Sequence, residues 1–269
     1  MKMVSAAKFK KSQDVLFRFR PYNSKINEIV QFLTSQEGNL KVDYMQWRKE
    51  VKRIGIVLIT SNTSMCGAFN MNIIKKAVET HENLRRSYPS AEITFYCIGR
   101  KGVDYLQRRK YKVEEQNSLV IEKPNIGLTK EVFTQLFDKY RNRQLDRVEL
   151  VFNRFKNAAV QFHEVKTFLP MSIPKGSPEG KENFDLIIEP NTQDIIEKVL
   201  PTYLLTTLHS AVLESSAAEH GARMTAMHQA TENATDLLRE LILQYNKARQ
   251  AAITKEILEI VSGANALKG

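Results

Sequence analysis

The chain predicts an α/β fold in which a mostly parallel α/β domain is bracketed by two long helices that pair as an antiparallel coiled coil. Three patterns carry that expectation. After Pro201 the sequence runs through Ile260 without another proline and with one glycine, Gly221. The first 35 residues repeat large apolar side chains in alternating steps of four and three. Between them, short β-branched runs alternate with stretches of helical periodicity, as in a parallel sheet with crossover helices.

Taking the elements in order, Val15, Phe19, Tyr22, Ile26, Ile29 and Leu33 place one apolar stripe along an N-terminal helix that ends near Gly38. Pro21 lies inside it and predicts a bend, because proline removes a helical hydrogen bond. Strands are expected at 52–60 and 91–99, a weak one at 113–121, and a final pair at 145–155 and 160–169. Helices are expected at 71–86, 100–109 and 129–142. Residues 170–180 hold three prolines and two glycines and read as a loop. Pro190 blocks an earlier helix start, and Asn191 or Thr192 can cap the last helix. The expected domains are 1–35, an N-terminal coiled-coil helix; 50–190, the α/β globular domain; and 191–269, a long C-terminal coiled-coil helix.

At 1.5 Å per residue the last helix would be on the order of 90 Å long, too long to bury in one domain. It must project and be covered by a partner helix or an enclosing assembly. Leu204, Leu208, Ala211, Ser215, Ala218 and Ala222 mark its seam, and Ala230, Ala234, Leu237, Leu241, Tyr245, Ala248 and Ala252 extend it. Small seam residues allow close approach and a slim shaft. The N-terminal helix is expected to lie along the far part of this one.

Composition narrows the function. Forty Lys+Arg against 30 Asp+Glu give a net charge of +10, which calls for acidic partners. The first helix carries Lys2, Lys8, Lys10, Lys11, Arg18, Arg20 and Lys25 against Asp14 alone in that span. Two cysteines, Cys66 and Cys97, offer neither a disulfide framework nor a zinc site. No phosphate loop, dinucleotide fingerprint or nucleophile elbow occurs, so no catalytic residue, cofactor or metal site is expected. Gly99 reads as a strand-to-helix turn and Cys66 as a small residue in a tight turn. His209 and His220 are about 16 Å apart along a helix, too far to share a metal. No apolar run is long enough to span a membrane.

Two end segments resemble one family. Residues 1–14 (MKMVSAAKFKKSQD) and 245–267 (YNKARQAAITKEILEIVSGANAL) are similar to the two ends of the gamma subunit of F-type ATP synthase, with 223–227 (RMTAM) and 231–234 (TENA) matching its helix between. Residues 60–70 (TSNTSMCGAFN) match a family loop in part: the usual Asp-Arg-Gly before Cys-Gly is replaced around Thr63 and Ser64. Family members generally carry roughly 20 more residues ahead of the segment that begins here at Met1, equivalent to ~30 Å of helix.

The resemblance implies a Rossmann-like α/β domain and a noncatalytic central-stalk rotor. Such a rotor couples the turning of a membrane rotor ring, driven by hydrogen ion transport, to ATP synthesis or hydrolysis in a hexamer of alpha and beta subunits, beside the epsilon subunit. It further implies a peripheral place on the cytoplasmic face of a bacterial inner membrane. Carried over by position, Arg223, Gln250, Thr254 and Glu256 match residues that contact beta-subunit loops, with Lys247 and Arg249 as neighbours; Met1 and Lys2 match a segment facing the acidic lever of beta. Simpler readings stand beside these: Gln250 and Thr254 as solvated helix residues, Arg223 as the i−4 partner of Glu219. The alternative function is a basic coiled-coil adapter for nucleic acid, which calls for aromatic side chains interleaved with the basic run; only Phe9, Phe17 and Phe19 interleave here.

Overall fold

The computed structural model describes residues 1–36, 44–48, 50–171 and 192–267. The chain divides into two compact units, Met1–Thr225 and Ala226–Gly269.

In the first unit, helix α1 (Lys2–Gln36) precedes strand β1 (Arg53–Ile59), helix α2 (Phe69–Ser87), strand β2 (Glu92–Ile98), helix α3 (Arg100–Arg108) and strand β3 (Val113–Glu115). The short helix α4 (Leu119–Glu122), helix α5 (Ile126–Arg141), strands β4 (Arg147–Phe155) and β5 (Gln161–Leu169), and helix α6 (Thr192–Ala266) follow. The sheet order is β3-β2-β1-β4-β5. The first four strands are parallel and β5 runs antiparallel to β4, so the expected parallel sheet with a closing antiparallel pair is what forms.

Strand alternation sorts the core into two layers. Ile54, Ile56 and Leu58 of β1 pack with Phe95, Cys97 and Ile73 on the face covered by α2 and α3. Val57 and Ile59 point the other way, into a layer with Leu136 and Tyr140 of α5, Val30 of α1 and Leu208 of α6. With every side chain of β1 after Arg53 buried, the strand reads as a continuous apolar run, as a strand covered on both faces must. Gly99 turns the chain from β2 into α3 at φ 106°; a Cβ there would lie 2.1 Å from the Thr60 carbonyl oxygen. The turn reading of Gly99 holds. Asp146 closes the opposite end of the sheet. Its carboxylate accepts Arg48 Nη1 at 2.7 Å and the amides of Lys52 and Arg53 at 2.9 Å each.

Three expectations need correction. The seam of α1 is Ser5, Phe9, Ser12, Leu16, Phe19, Asn23, Ile26, Val30 and Leu33. Leu16 and Val30 are fully buried, while Val15 and Tyr22 are 40% and 50% exposed. The four-three period is right, but its register is set one residue later at alternate turns, because Ser5, Ser12 and Asn23 occupy seam positions that an apolar count passes over. Second, α1 lies antiparallel to α6, but against its near part. Phe19 meets the His209 ring edge-on at 5.0 Å, Arg20 pairs with Glu214 at 3.3 Å, and Phe9 comes within 3.2 Å of the space above Gly221. Third, the weak strand at 113–121 is β3 only as far as Glu115. Asn117 accepts the Leu119 amide at 3.0 Å and turns the chain into α4, which buries Val120 and Ile121. Helix α1 runs through Pro21. The loop at 170–180 beyond Met171 and the Asn191 cap lie outside the described residues, and α6 begins at Thr192.

The seam of α6 in the first unit is as expected: Leu204, Leu208, Ala211, Ser215, Ala218 and Ala222 are all buried. The second unit is helix alone through Ala266, and from His228 onward every described side chain except Asn246 is exposed.

Candidate partner interface

The expected contact residues fall into two sets, one in each unit. In the first, Met1 and Arg223 line a cleft of about 410 Å³ with Val4, Ser5, Lys8, Thr63, Ser64, Met65 and His220. Met1 is 78% exposed, and Lys2 is exposed on the same first turn of α1. Arg223 is held firmly. Its Nη1 pairs with Glu219 at 2.7 Å, and its Nη2 donates to Thr63 Oγ1 at 2.9 Å and to the Thr63 carbonyl at 3.3 Å. Nε donates to the Ser64 carbonyl at 3.4 Å. The local i−4 pairing with Glu219 therefore exists, and the guanidinium also anchors the loop after β1. That loop lacks the family's Asp-Arg-Gly and draws little notice in the sequence, yet Arg223 grips mainly its backbone, which no side-chain motif reports.

The electrostatics of the cleft follow from burial. Glu219 is 6% exposed; burial pushes its carboxyl up, with Arg223 and Lys8 pulling it back in part. Burial, aided by Arg223 and Lys8, takes His220 down to about 4, so it is neutral at physiological pH. What the cleft presents is cationic: Lys8 and the outer edge of Arg223, framed by the thioethers of Met1 and Met65. Cys66, next to this loop, is buried against Ser61 and Asn70, and desolvation raises its thiol, which suits a packing residue.

In the second unit Lys247, Arg249, Gln250, Thr254 and Glu256 are all exposed on one helix. At about 100° per residue Lys247, Gln250 and Thr254 share one face, while Arg249 and Glu256 share another, roughly 140° away. The exposed apolar residues do not keep to one stripe. Leu237, Leu241 and Tyr245 line the expected seam, but Ile242, Ile253, Ile260 and Leu258 lie well round from it, and Leu243, Ile257 and Val261 sit on the far side. With exposed apolar residues spread round the axis among the charged ones, this helix has no single face to turn to a core and no wholly polar face to turn to water.

A sheet domain with a cationic cleft, joined in sequence to a long helix whose described side chains are exposed, is the make-up of a subunit of a larger assembly. Comparison with known proteins says which assembly. The family model described as ATP synthase matches residues 1–267. The ATP synthase gamma chain of Flavobacterium psychrophilum is 43% identical over 270 residues, covering 100% of this chain and 92% of the relative. That of Brevibacillus brevis is 38% identical over 266 residues, covering 99% and 91%. A solved structure of the Tetrahymena thermophila mitochondrial ATP synthase central stalk and c-ring shares the fold, with a TM-score of 0.59 at 22% identity, over 86% of this chain and 97% of that one.

The chain belongs to the ATP synthase gamma-chain family. Membership supports the rotor reading and lends nothing to the nucleic-acid adapter. Among the described residues no helix is long and apolar enough to cross a membrane, in keeping with a peripheral subunit of a membrane-bound complex.

Proposed function

We propose that this chain is the noncatalytic rotor of the central stalk in a bacterial F-type ATP synthase, working at the cytoplasmic face of the inner membrane. The carrying observation is the helix of the second unit, whose apolar residues face every direction. Such a helix is stable in an assembly only if surrounded, and a hexamer of alpha and beta subunits supplies a surrounding wall.

Different side chains face different directions on this helix, so each turn of the rotor offers each beta subunit a new set of contacts. Those contacts favour one pre-existing nucleotide-site conformation over another, and the chemistry stays with beta. Lys247, Gln250 and Thr254 on one face, and Arg249 and Glu256 on the other, are the polar contacts for beta loops. Arg223, at the cationic cleft, is a further contact for a beta loop, and Met1 and Lys2 beside it face an acidic beta segment. The membrane rotor ring drives the rotation, and the epsilon subunit is a stalk neighbour.

The test is to assemble the chain with alpha and beta subunits and measure ATP hydrolysis. Stimulation over alpha and beta alone is expected. Its absence, together with salt-dependent binding of duplex DNA by the isolated chain, would instead support the adapter.

A further inference from the structure

Two loops of the sheet grip α6 at the same level from opposite sides. On one side the β4–β5 turn presses against the helix. Asn157 stiffens that turn, its Oδ1 accepting the amides of Ala159 at 3.0 Å and Val160 at 2.7 Å. The tip reaches Gly221 so closely that a Cβ there would lie 3.1 Å from the Ala158 Cα and 3.2 Å from its carbonyl oxygen. One turn on, Thr225 Oγ1 donates to the same carbonyl at 3.3 Å. Gly221 and Thr225 are i and i+4, hence on one face of the helix. Arg223 is two residues from Gly221, about 200° round the axis, and holds the loop after β1 through Thr63 and Ser64.

The strands behind these loops are neighbours. β1 pairs directly with β4, so both jaws grow from one rigid sheet. Below the jaws the Phe155 amide donates to Glu214 at 2.8 Å and the Asn153 amide to Ser215 Oγ at 3.2 Å, continuing the hold along the helix. Leu16, Cys66, Phe69, Phe155, Leu213 and Ala217 fill the space between. A helix held on one face can roll against its support; a helix held on opposite faces cannot roll without opening a jaw. With no Cβ, Gly221 lets the turn seat this near without displacement, and each added side-chain atom makes the turn give further.

We infer that Gly221 is a positioning residue for energy coupling: it seats the Ala158 turn so that, with Arg223 opposite, the sheet domain clamps α6 and passes torque to it without slip. This rests on the rotor reading above and adds the place where load crosses from sheet to helix. The clamp is needed under load and has no part in nucleotide hydrolysis.

The test uses the complete membrane-embedded enzyme in sealed vesicles, carrying Gly221→Val, Ala158→Leu or Gly221→Ala. Valine pushes the turn away from the helix side, and leucine adds bulk to the half-buried tip of the turn itself, so the two variants disturb the same contact from its two partners. Alanine asks the turn to give by only tenths of an ångström. ATP hydrolysis should stay within about twofold in all three, while proton pumping per ATP falls by about threefold or more in Gly221→Val and Ala158→Leu and recovers in Gly221→Ala. Pumping per ATP equal to the parent's in whichever of the two bulky variants assembles would overturn the clamp. A parent enzyme that neither hydrolyses nor pumps would overturn the rotor reading, a distinguishable failure.

Discussion

Replacing Arg223 with alanine should cost the fold more than removal of a surface arginine does, and the cost should depend on pH in a defined direction. The side chains of Arg223 and Glu219 are 14% and 8% exposed. Stripping the cation from a buried pair costs about 3–5 kcal/mol when no water reaches the orphaned carboxylate. The residual exposure lowers this to about 2–4 kcal/mol, and the lost bonds to Thr63 and Ser64 add a fraction more. For a unit of this size that is a fall in Tm of about 5–10 °C at pH 7.

Burial already holds the Glu219 carboxyl above its ordinary value of 4.5, and without Arg223 it rises further. An acid raised in the folded state opposes folding once the pH exceeds its unfolded value, since the unfolded chain then releases a proton that the folded chain keeps. The variant's deficit is therefore smallest near pH 4.5 and grows toward neutrality. Thermal or urea unfolding of the parent, Arg223→Ala, Glu219→Gln and the double variant, at pH 5 and pH 7.5, reads all of this. Glu219→Gln should restore much of what Arg223→Ala loses. An Arg223→Ala deficit under about 1 kcal/mol at pH 7.5, or a double variant no more stable than Arg223→Ala, would refute the buried-pair account.

Leu16→Ala should cost about 2–4 kcal/mol and Val15→Ala under about 1, by urea unfolding; equal costs would return the seam to Val15. His209, packed between Thr129 and Phe19, is lowered from 6.5 to about 4 by burial. Below pH 6.5 the unfolded chain takes up a proton that the folded chain refuses, so stability falls toward pH 4 by up to about 1.4 kcal/mol per unit from this group. His209→Gln should flatten that slope in urea midpoints measured from pH 7 to 4.5, leaving the parallel share of His220; an unchanged slope counts against the assignment. Removing residues 258–269 deletes only exposed helix among the described residues, so Tm should move by about 1 °C or less while ATP-driven proton pumping drops. A large loss of stability would mean those residues pack within the chain.

The sheet was legible because β1, β2 and β4 are short apolar runs separated by helical periods, and one face of each helix had to meet them. The long C-terminal helix was legible from the missing prolines, and its seam through Ala222 from spacing alone. The seam of α1 was harder. Ser5 is buried at a seam position and Ser12 and Asn23 are half-buried at two others, and hydropathy gives them no weight. Nor could spacing say how far α1 reaches along α6, since any heptad register satisfies the same pattern. At the candidate interface Arg223 stood out by family likeness and by its spacing from Glu219. Its hold on Thr63 and Ser64 spans 160 and 159 residues of sequence and uses carbonyl groups that every residue owns. The role of Gly221 was hidden similarly: a lone glycine in a helix looks like a weakness until Ala158 is found against it.

The apolar residues exposed round the helix of the second unit also bear on how a cell must handle this polypeptide. Made in excess of its neighbours, it displays the sticky surface that chaperones seek and that neighbouring copies can seize, so clumping rises with concentration. Synthesis matched to that of the subunits that enclose it, or a holding factor until they arrive, is the natural remedy.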